Sequence, residues 1–225
     1  MKEHVCLLVH GFNGNPEELD YLNKYSQTKD LPVRTVVLDG HGSDKKALRK
    51  SSHKSWIGSV EAVAGELALE YKRIILIGFS MGGLICVNLA SLPGIDKIIF
   101  INTPIYFWNI RIIISDIMRG VRSRTFDKIA YYKKSVFGVS VKSGIDFLRL
   151  LAKSKRVLED VRQPSLILQC VRDESVHFKS AGYLKKKLGD SAELKHYDGG
   201  CHQVFDCLEL RDLVCEDILR FIGGL

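Results

Sequence analysis

Residues 76–84 read LIGFSMGGL, and they place Ser80 between Gly78 and Gly82. The run RIILIG at 73–78 is strand-like, and the segment from Met81 to Ser91 is small and apolar like a buried helix. A Gly-x-Ser-x-Gly turn between a strand and a helix is typical of a strained elbow that exposes a nucleophilic serine. Because such a turn brings backbone segments together, only glycine fits on both sides. The context predicts that Ser80 is a nucleophile.

Strand-like and helix-like segments alternate outward from this stretch. Five further strands are predicted, and their sequences are VCLLV (5–9), VRTVVL (33–38), KIIFI (97–101), SLILQC (165–170) and AELKHY (192–197). Most are apolar throughout, as parallel strands covered on both faces are. The last alternates, which indicates an edge strand. Helices are predicted from Asn15, over 54–70, 81–91, 177–188 and 203–222. We expect an α/β fold with a mostly parallel six-stranded sheet and helices on both faces.

One interval interrupts this alternation. More than sixty residues separate the strands near Ile101 and Ser165, whereas a crossover needs about 10 to 30. We predict one domain over residues 1–225, with a helical cap inserted at about 105–160. The interval is rich in aromatic residues: Tyr106, Phe107, Trp108, Phe126, Tyr131, Tyr132, Phe137 and Phe147. Residues 105–160 also carry the whole net charge of +7, which is spread over Arg119, Arg122, Arg124, Lys133, Lys134, Lys153, Lys155, Arg156 and others. That basicity indicates either a solvated surface or a face that attracts anions.

A serine nucleophile needs a base and an acid, which follow it along the chain on such a fold. His202 lies in the loop DGGCHQVF after the last strand, whereas His196 lies inside that strand and His177 begins a helix. Asp173 follows the fifth strand in QCVRDE, where a carboxylate can hold the imidazole's tautomer. Glu174 stands beside it as the alternative.

Two backbone N–H groups are expected to stabilise an oxyanion. Met81 supplies one at the start of the helix that follows Ser80. Phe12 is assigned the other, in the glycine-rich loop HGFNGN after the first strand. His10 is interpreted as a structural residue of that loop, and His41 in DGHGSD as a loop anchor or pocket wall.

Composition excludes several classes of protein. With 46% hydrophobic and 26% charged residues, the chain is a folded one, and no apolar run approaches the roughly 20 residues that span a bilayer. We expect a cytoplasmic protein. The six cysteines form no Cys-x-x-Cys pair, which indicates reduced thiols and no metal site. Because the basic excess belongs to one segment, a nucleic-acid role does not follow from the charge.

The chain resembles the α/β-hydrolase superfamily over nearly its whole length, and within it the small bacterial carboxylesterases related to monoacylglycerol lipases. The stretches LLVHGFNGN, LDGHG, GFSMGGL, QCVRDE and GGCHQVF carry the resemblance in that order. It implies Ser80 as nucleophile, His202 as base, Asp173 as its orienting acid, and Phe12 and Met81 as oxyanion donors. It also implies hydrolysis of short- to medium-chain carboxylic esters without metal or organic cofactor. The sequence departs from many relatives at Cys201, where serine or glycine is common.

Several functions remain open at this stage. The favoured one is a serine hydrolase that acts on a small acyl ester through an acyl-enzyme, with monoacylglycerols among the candidate substrates. One alternative is another enzyme of this fold, namely an acyl thioesterase, a peptidase or a C–C hydrolase, because fold and catalytic residues do not fix the substrate. The other is a hydrolase-like binding protein without turnover. The sequence leaves the oligomeric state open.

Overall fold

The computed structural model describes residues 1–42, 45–107 and 140–223. Their strands form one six-stranded sheet in the order β2-β1-β3-β4-β5-β6, and every pairing is parallel. The strands are β1 (Lys2–Val9), β2 (Val33–Val36), β3 (Tyr71–Phe79), β4 (Ile95–Ile101), β5 (Ser165–Cys170) and β6 (Ala192–Tyr197). The predicted α/β architecture is confirmed, with β6 at an edge.

Seven α-helices lie in the described ranges. They are α1 (Asp20–Gln27), α2 (Lys45–Lys50), α3 (His53–Glu70), α4 (Met81–Leu89), α5 (Val141–Val157), α6 (Lys179–Leu188) and α7 (Arg211–Ile222). A short 3₁₀ turn, Pro16–Leu19, leads into α1, and the Asn15 side chain accepts a hydrogen bond from the Glu17 N–H at its start. A helix beginning at Asn15 was predicted, because asparagine is a preferred N-cap and Pro16 suits the first helical position.

The helices cover both faces of the sheet. Side chains of α3, α4, α5 and α6 form one core with inward residues of the strands, such as Leu7 and Leu76. Side chains of α1 and α7 form the second core with alternate strand residues, such as Leu8 and Ile77. Since neighbouring strand residues point to opposite faces, the continuous apolar runs of β1 and β3 serve both cores.

The last helix begins later than predicted. A helix over 203–222 was expected, but α7 begins at Arg211 and a 3₁₀ turn, Val204–Asp206, precedes it. Val204 and Phe205 are both buried, whereas Leu208 is 71% exposed. In a continuous helix, Leu208 would lie on the same face as Val204 and would be buried with it. Because Val204 is buried and Leu208 is exposed, the chain breaks between the turn and α7.

Part of the predicted insertion belongs to the main helix layer. Leu150 and Leu151 of α5 are buried in the first core, and the Ser154 hydroxyl donates to the Leu84 carbonyl of α4. Residues 108–139, which hold most of the predicted cap and its aromatic residues, lie outside the described residues. Within the described ranges, every helix falls short of the length and hydrophobicity that a membrane span requires.

Candidate active site

Ser80 lies at the carboxyl end of β3, directly before α4, with φ of 51° and ψ of −121°. This left-handed φ is costly for a residue with a side chain. The flanking glycines explain how the turn closes. A Cβ on Gly78 would lie 2.4 Å from the Gly83 nitrogen, and one on Gly82 would lie 2.1 Å from the Val9 carbonyl oxygen. The serine hydroxyl is thereby fixed above the strand ends, and Ser80 is 8% exposed.

His202 and Ser80 are in hydrogen-bond contact. The His202 Nε2 lies 3.0 Å from the Ser80 Oγ, and its Nδ1 lies 2.8 Å from the Asp173 Oδ2. With the ring proton on Nδ1, the imidazole donates to Asp173 and its Nε2 accepts from the serine hydroxyl. The structure therefore brings together the three residues that the sequence analysis selected from separate loops.

The two neighbouring acids have different surroundings. Asp173 is fully buried, and its Oδ1 accepts hydrogen bonds from the Ser175 and Val176 N–H groups at 2.8 Å each. These bonds fix the carboxylate and leave Oδ2 for the imidazole. Glu174 Oε2 instead accepts the backbone N–H of His202 at 3.2 Å, so it contacts the histidine's backbone and not its ring.

The surrounding carboxylates control the charge of His202. Burial acts to lower the pKa of His202, but Asp173 raises it through charge and hydrogen bonding, and Glu174 and Glu18 raise it further. The net result is a pKa above the ordinary value for histidine. An imidazolium that forms after proton transfer is therefore stabilised.

The loop after β1 faces the elbow. Gly11 lies close to the nucleophile, because a Cβ added to it would be 3.3 Å from the Ser80 Cβ. Phe12 is the next residue along the chain, so its backbone lies near Ser80 as well. Among the described residues, the N–H groups of Phe12 and Met81 donate to no protein acceptor. Within the described ranges, both assigned oxyanion donors are therefore without a protein acceptor.

The buried side chain of His10 holds that loop. Its Nδ1 lies 2.9 Å from the Gly11 carbonyl oxygen, and its Nε2 accepts the Leu38 N–H at 3.2 Å. Burial lowers the pKa of His10 to about 4, so the ring is neutral at pH 7. These contacts agree with a structural role.

An aromatic wall packs around Phe12, in the loop that follows β1. The Phe12 ring centroid lies 5.7 Å from that of Trp56, 5.4 Å from Phe147 and 6.2 Å from His41. Phe147 in turn meets Phe107 at 5.9 Å. His41 is buried in this wall, as expected of a pocket wall or anchor. Of the other predicted cap aromatics, Tyr106 meets Tyr183 at 5.9 Å. Trp108, Phe126, Tyr131, Tyr132 and Phe137 lie outside the described residues.

Sequence reasoning missed three residues that support His202. Asn102, at the end of β4 with φ of 46°, donates to the His202 carbonyl oxygen at 2.9 Å and accepts the Cys170 N–H at 2.9 Å. Glu18 accepts a hydrogen bond from the Gln203 amide at 2.9 Å. An asparagine directly after an apolar strand was a usable signal for Asn102. Glu18 resembles an ordinary first-turn acid, so no sequence signal distinguished it.

The cysteine beside the histidine is not activated. The Cys201 thiol donates to the Gln203 carbonyl oxygen at 3.3 Å, and burial, with nearby acids, raises the pKa of Cys201 to about 11. It therefore stays protonated at neutral pH. All six cysteines are free, and the described residues contain no cluster of three side chains that could hold a metal ion.

Comparison with known proteins places this geometry in a family. A family model for the alpha/beta hydrolase family matches residues 6–201. A carboxylesterase of Bacillus subtilis (strain 168) is 22% identical over 99% of this chain and 94% of its own length. A thermostable monoacylglycerol lipase of Bacillus sp. (strain H-257) is 27% identical over 76% of this chain and 70% of its own length. A solved structure from work on LipS and LipT, two metagenome-derived lipolytic enzymes, shares the fold with a TM-score of 0.80. It is 19% identical and covers 100% of this chain and 95% of that one.

Proposed function

The chain belongs to the alpha/beta hydrolase family, and on that basis we propose that it is a serine hydrolase that cleaves small carboxylic esters. The observation that carries the proposal is the contact chain from the Ser80 Oγ through the His202 ring to the Asp173 carboxylate, at 3.0 and 2.8 Å. Such a chain activates a hydroxyl for acyl transfer. The curated relatives named above as a carboxylesterase and a monoacylglycerol lipase support an ester as the substrate.

In the first half of the reaction, the Ser80 Oγ attacks the ester carbonyl carbon and His202 Nε2 takes the hydroxyl proton. Asp173 holds the Nδ1–H and stabilises the imidazolium. The N–H groups of Phe12 and Met81 donate to the oxyanion of the tetrahedral intermediate. When the intermediate collapses, the ester C–O bond breaks, and His202 returns the proton to the leaving alcohol. The acyl group remains on Ser80.

In the second half, water replaces the alcohol. His202 Nε2 takes a proton from the water, whose oxygen attacks the acyl carbon. Collapse of this second intermediate breaks the bond to the Ser80 Oγ, which regains its proton from His202. The carboxylic acid leaves and the free enzyme is restored.

The aromatic wall supports an apolar acyl group of short to medium length. Phe12, Phe147 and Phe107 form a series of ring contacts that starts in the loop facing Ser80, and Phe12 also contacts the fully buried Trp56. Binding sites are mostly apolar with a few fixed polar groups. Each methylene buried there contributes up to about 0.8 kcal/mol, which favours hexanoyl over acetyl esters.

The test combines covalent labelling with an ester series from acetyl to hexanoyl. The wild-type protein is expected to react with a fluorophosphonate at Ser80 and to show kcat/KM rising along the series. Ser80→Ala should lose the label and nearly all turnover, leaving about 10³–10⁴-fold over water, while its circular dichroism is unchanged.

Each unfavourable result has a distinct meaning. Near wild-type hydrolysis by Ser80→Ala would exclude the proposed nucleophile. Labelling without turnover of any ester would contradict esterase function, and a matched thioester would then test the thioesterase alternative. A flat or falling chain-length profile would exclude an extended acyl pocket.

A further inference from the structure

A third carboxylate lies in the site besides Asp173 and Glu174. Glu18 Oε2 accepts the backbone N–H of Gly11 at 2.8 Å, and its Oε1 accepts the Gln203 side-chain amide at 2.9 Å. Gly11 directly precedes Phe12, and Gln203 directly follows His202. One side chain therefore joins the loop after β1 to the loop after β6.

The two bonds favour the ionised carboxylate. Burial is the largest effect and, with Asp206, leaves the pKa of Glu18 above its ordinary value, although the Gly11 N–H, the Gln203 amide and the nearby His202 oppose that rise. Both partners are donors, and an ionised carboxylate offers an acceptor oxygen to each. A neutral amide in its place would offer one oxygen only.

Gly14 makes room for this carboxylate. A Cβ on Gly14 would lie 2.3 Å from the Glu18 Oε2 and 2.4 Å from its Oε1, with Glu18 atoms as its nearest neighbours. Gly14 is not among the residues with positive φ. Alanine is therefore compatible with its backbone, and the substitution acts on the position of the Glu18 carboxylate.

We propose that Glu18 is a positioning residue that fixes the positions of the Phe12 N–H and the His202 ring relative to Ser80. The inference rests on the proposed function, because it assigns a role within the same acyl transfer. Displacement of an oxyanion donor or a base by about 1 Å costs on the order of 10²-fold in rate. The bridge therefore acts on kcat, with little change in the affinity for substrate.

The experiment measures kcat and KM for a neutral butyryl ester with Glu18→Gln and Gly14→Ala. Each is expected to lower kcat by about 10- to 100-fold with KM within about threefold of wild type. The matched control is Glu17→Gln, an exposed neighbour in the same turn, which is expected to keep wild-type kcat. Thermal melts establish that each variant is folded.

Two double variants separate the bridge from a general structural effect. In a Glu18→Ala background, Gly14→Ala is expected to cost nothing further, because there is no carboxylate to displace. Combining Glu18→Gln with Gln203→Glu exchanges the partners. The new amide can accept from Gly11 and donate to the new carboxylate, so most of the kcat should return.

Wild-type kcat in Glu18→Gln would overturn the inference, as would an equal cost of Gly14→Ala with and without the Glu18 carboxylate. Failure of the exchange to restore kcat beyond that of Glu18→Gln would also contradict it. Ser80→Ala, assayed in parallel, keeps the two proposals distinguishable. If that variant remains active, the proposed function fails; if it is inactive while Glu18→Gln matches wild type, only the role of Glu18 fails.

Discussion

At the scale of single residues, Asp173 and Glu174 are chemically similar neighbours whose contacts differ. Asp173 is fixed by two backbone N–H groups and presents its second oxygen to the His202 ring. Glu174 instead accepts the backbone N–H of His202. The first contact sets the ring's tautomer and charge, whereas the second holds the loop.

Replacing each acid by its amide should therefore give unequal losses. Asp173→Asn is expected to lower kcat by up to ~10⁴-fold, because the amide favours the wrong tautomer of His202. Glu174→Gln keeps an oxygen that can accept the His202 N–H, so the expected loss is less than about tenfold. Steady-state kinetics on one ester measures both. A larger loss in Glu174→Gln than in Asp173→Asn would assign the orienting acid to Glu174.

The site residues that could be predicted from the sequence are those whose residue type and chain position both indicate a catalytic role. Ser80 has its flanking glycines, and His202 and Asp173 follow strands in the expected order. Glu18 and Gln203 lack such a signal, because their contact joins positions 185 residues apart and depends on how two loops face each other. Charge and spacing alone do not contain that information.

At the scale of elements, the strands were predictable because their apolar runs are buried on both faces. The start of α7 was not, since the choice between a turn and a helix at 204–210 depends on the tertiary burial of Val204 and Phe205. The placement of α5 depends likewise on long-range contacts. Asp146 of α5 is 2% exposed, and it accepts from His53 Nδ1 of α3 at 2.9 Å and from Lys142 at 3.3 Å.

Removing this link between Asp146 of α5 and His53 of α3 should weaken the packing of the two helices. Asp146→Ala is expected to lower the free energy of unfolding by about 1–3 kcal/mol, because His53 and Lys142 lose their buried acceptor. The exposed acid Asp160 provides the control, and Asp160→Ala should change stability by less than about 0.5 kcal/mol. Urea denaturation at pH 7 measures both. Equal stability of the two variants would mean that the link does not stabilise this helix pair.

The same link has a defined pH dependence. Burial acts to raise the pKa of Asp146, but the bonds from His53 and Lys142 outweigh it and hold the pKa below the ordinary value. The Asp146 contribution is therefore fully present above the unfolded-state pKa of about 3.9, and it is lost as pH falls through the lower folded-state pKa. The stability difference between wild type and Asp146→Ala should shrink in that acid range.

At the scale of the whole molecule, the net charge of +7 is unevenly distributed along the chain. Of the basic residues named for the predicted cap, Arg119, Arg122, Arg124, Lys133 and Lys134 lie outside the described residues. Lys153 and Arg156 are described and exposed on α5, the helix whose Phe147 contacts the Phe12 ring. At 1.5 Å per residue, they lie about 9 and 14 Å along the helix from Phe147.

These distances decide when the two charges can attract an anionic substrate. At about 12 Å in water, each unit charge contributes about 0.35 kcal/mol, so reversing both residues changes the interaction with a monoanionic ester by about 1.4 kcal/mol, or tenfold. The Debye length is about 30 Å at 0.01 M salt and about 8 Å at 0.15 M, so the effect should be large only at low salt. Lys153→Glu with Arg156→Glu is therefore expected to lower kcat/KM for an anionic ester by up to about tenfold at 0.01 M. At 0.15 M, the loss should be less than about twofold.

The control variant changes the net charge by the same amount, but at residues far from α5. Lys24→Glu with Lys29→Glu alters two exposed lysines at the other side of the chain's fold, on and just after α1, which packs in the second core with α7. This variant, and a neutral ester of equal acyl length on both variants, should show little change with salt. Equal losses in the two charge-reversed variants would assign the effect to net charge. If neither variant loses activity toward the anionic ester at 0.01 M, the basic residues of α5 do not steer substrate. An attraction at this distance would lower kcat/KM measurably at the salt concentration where screening is weakest.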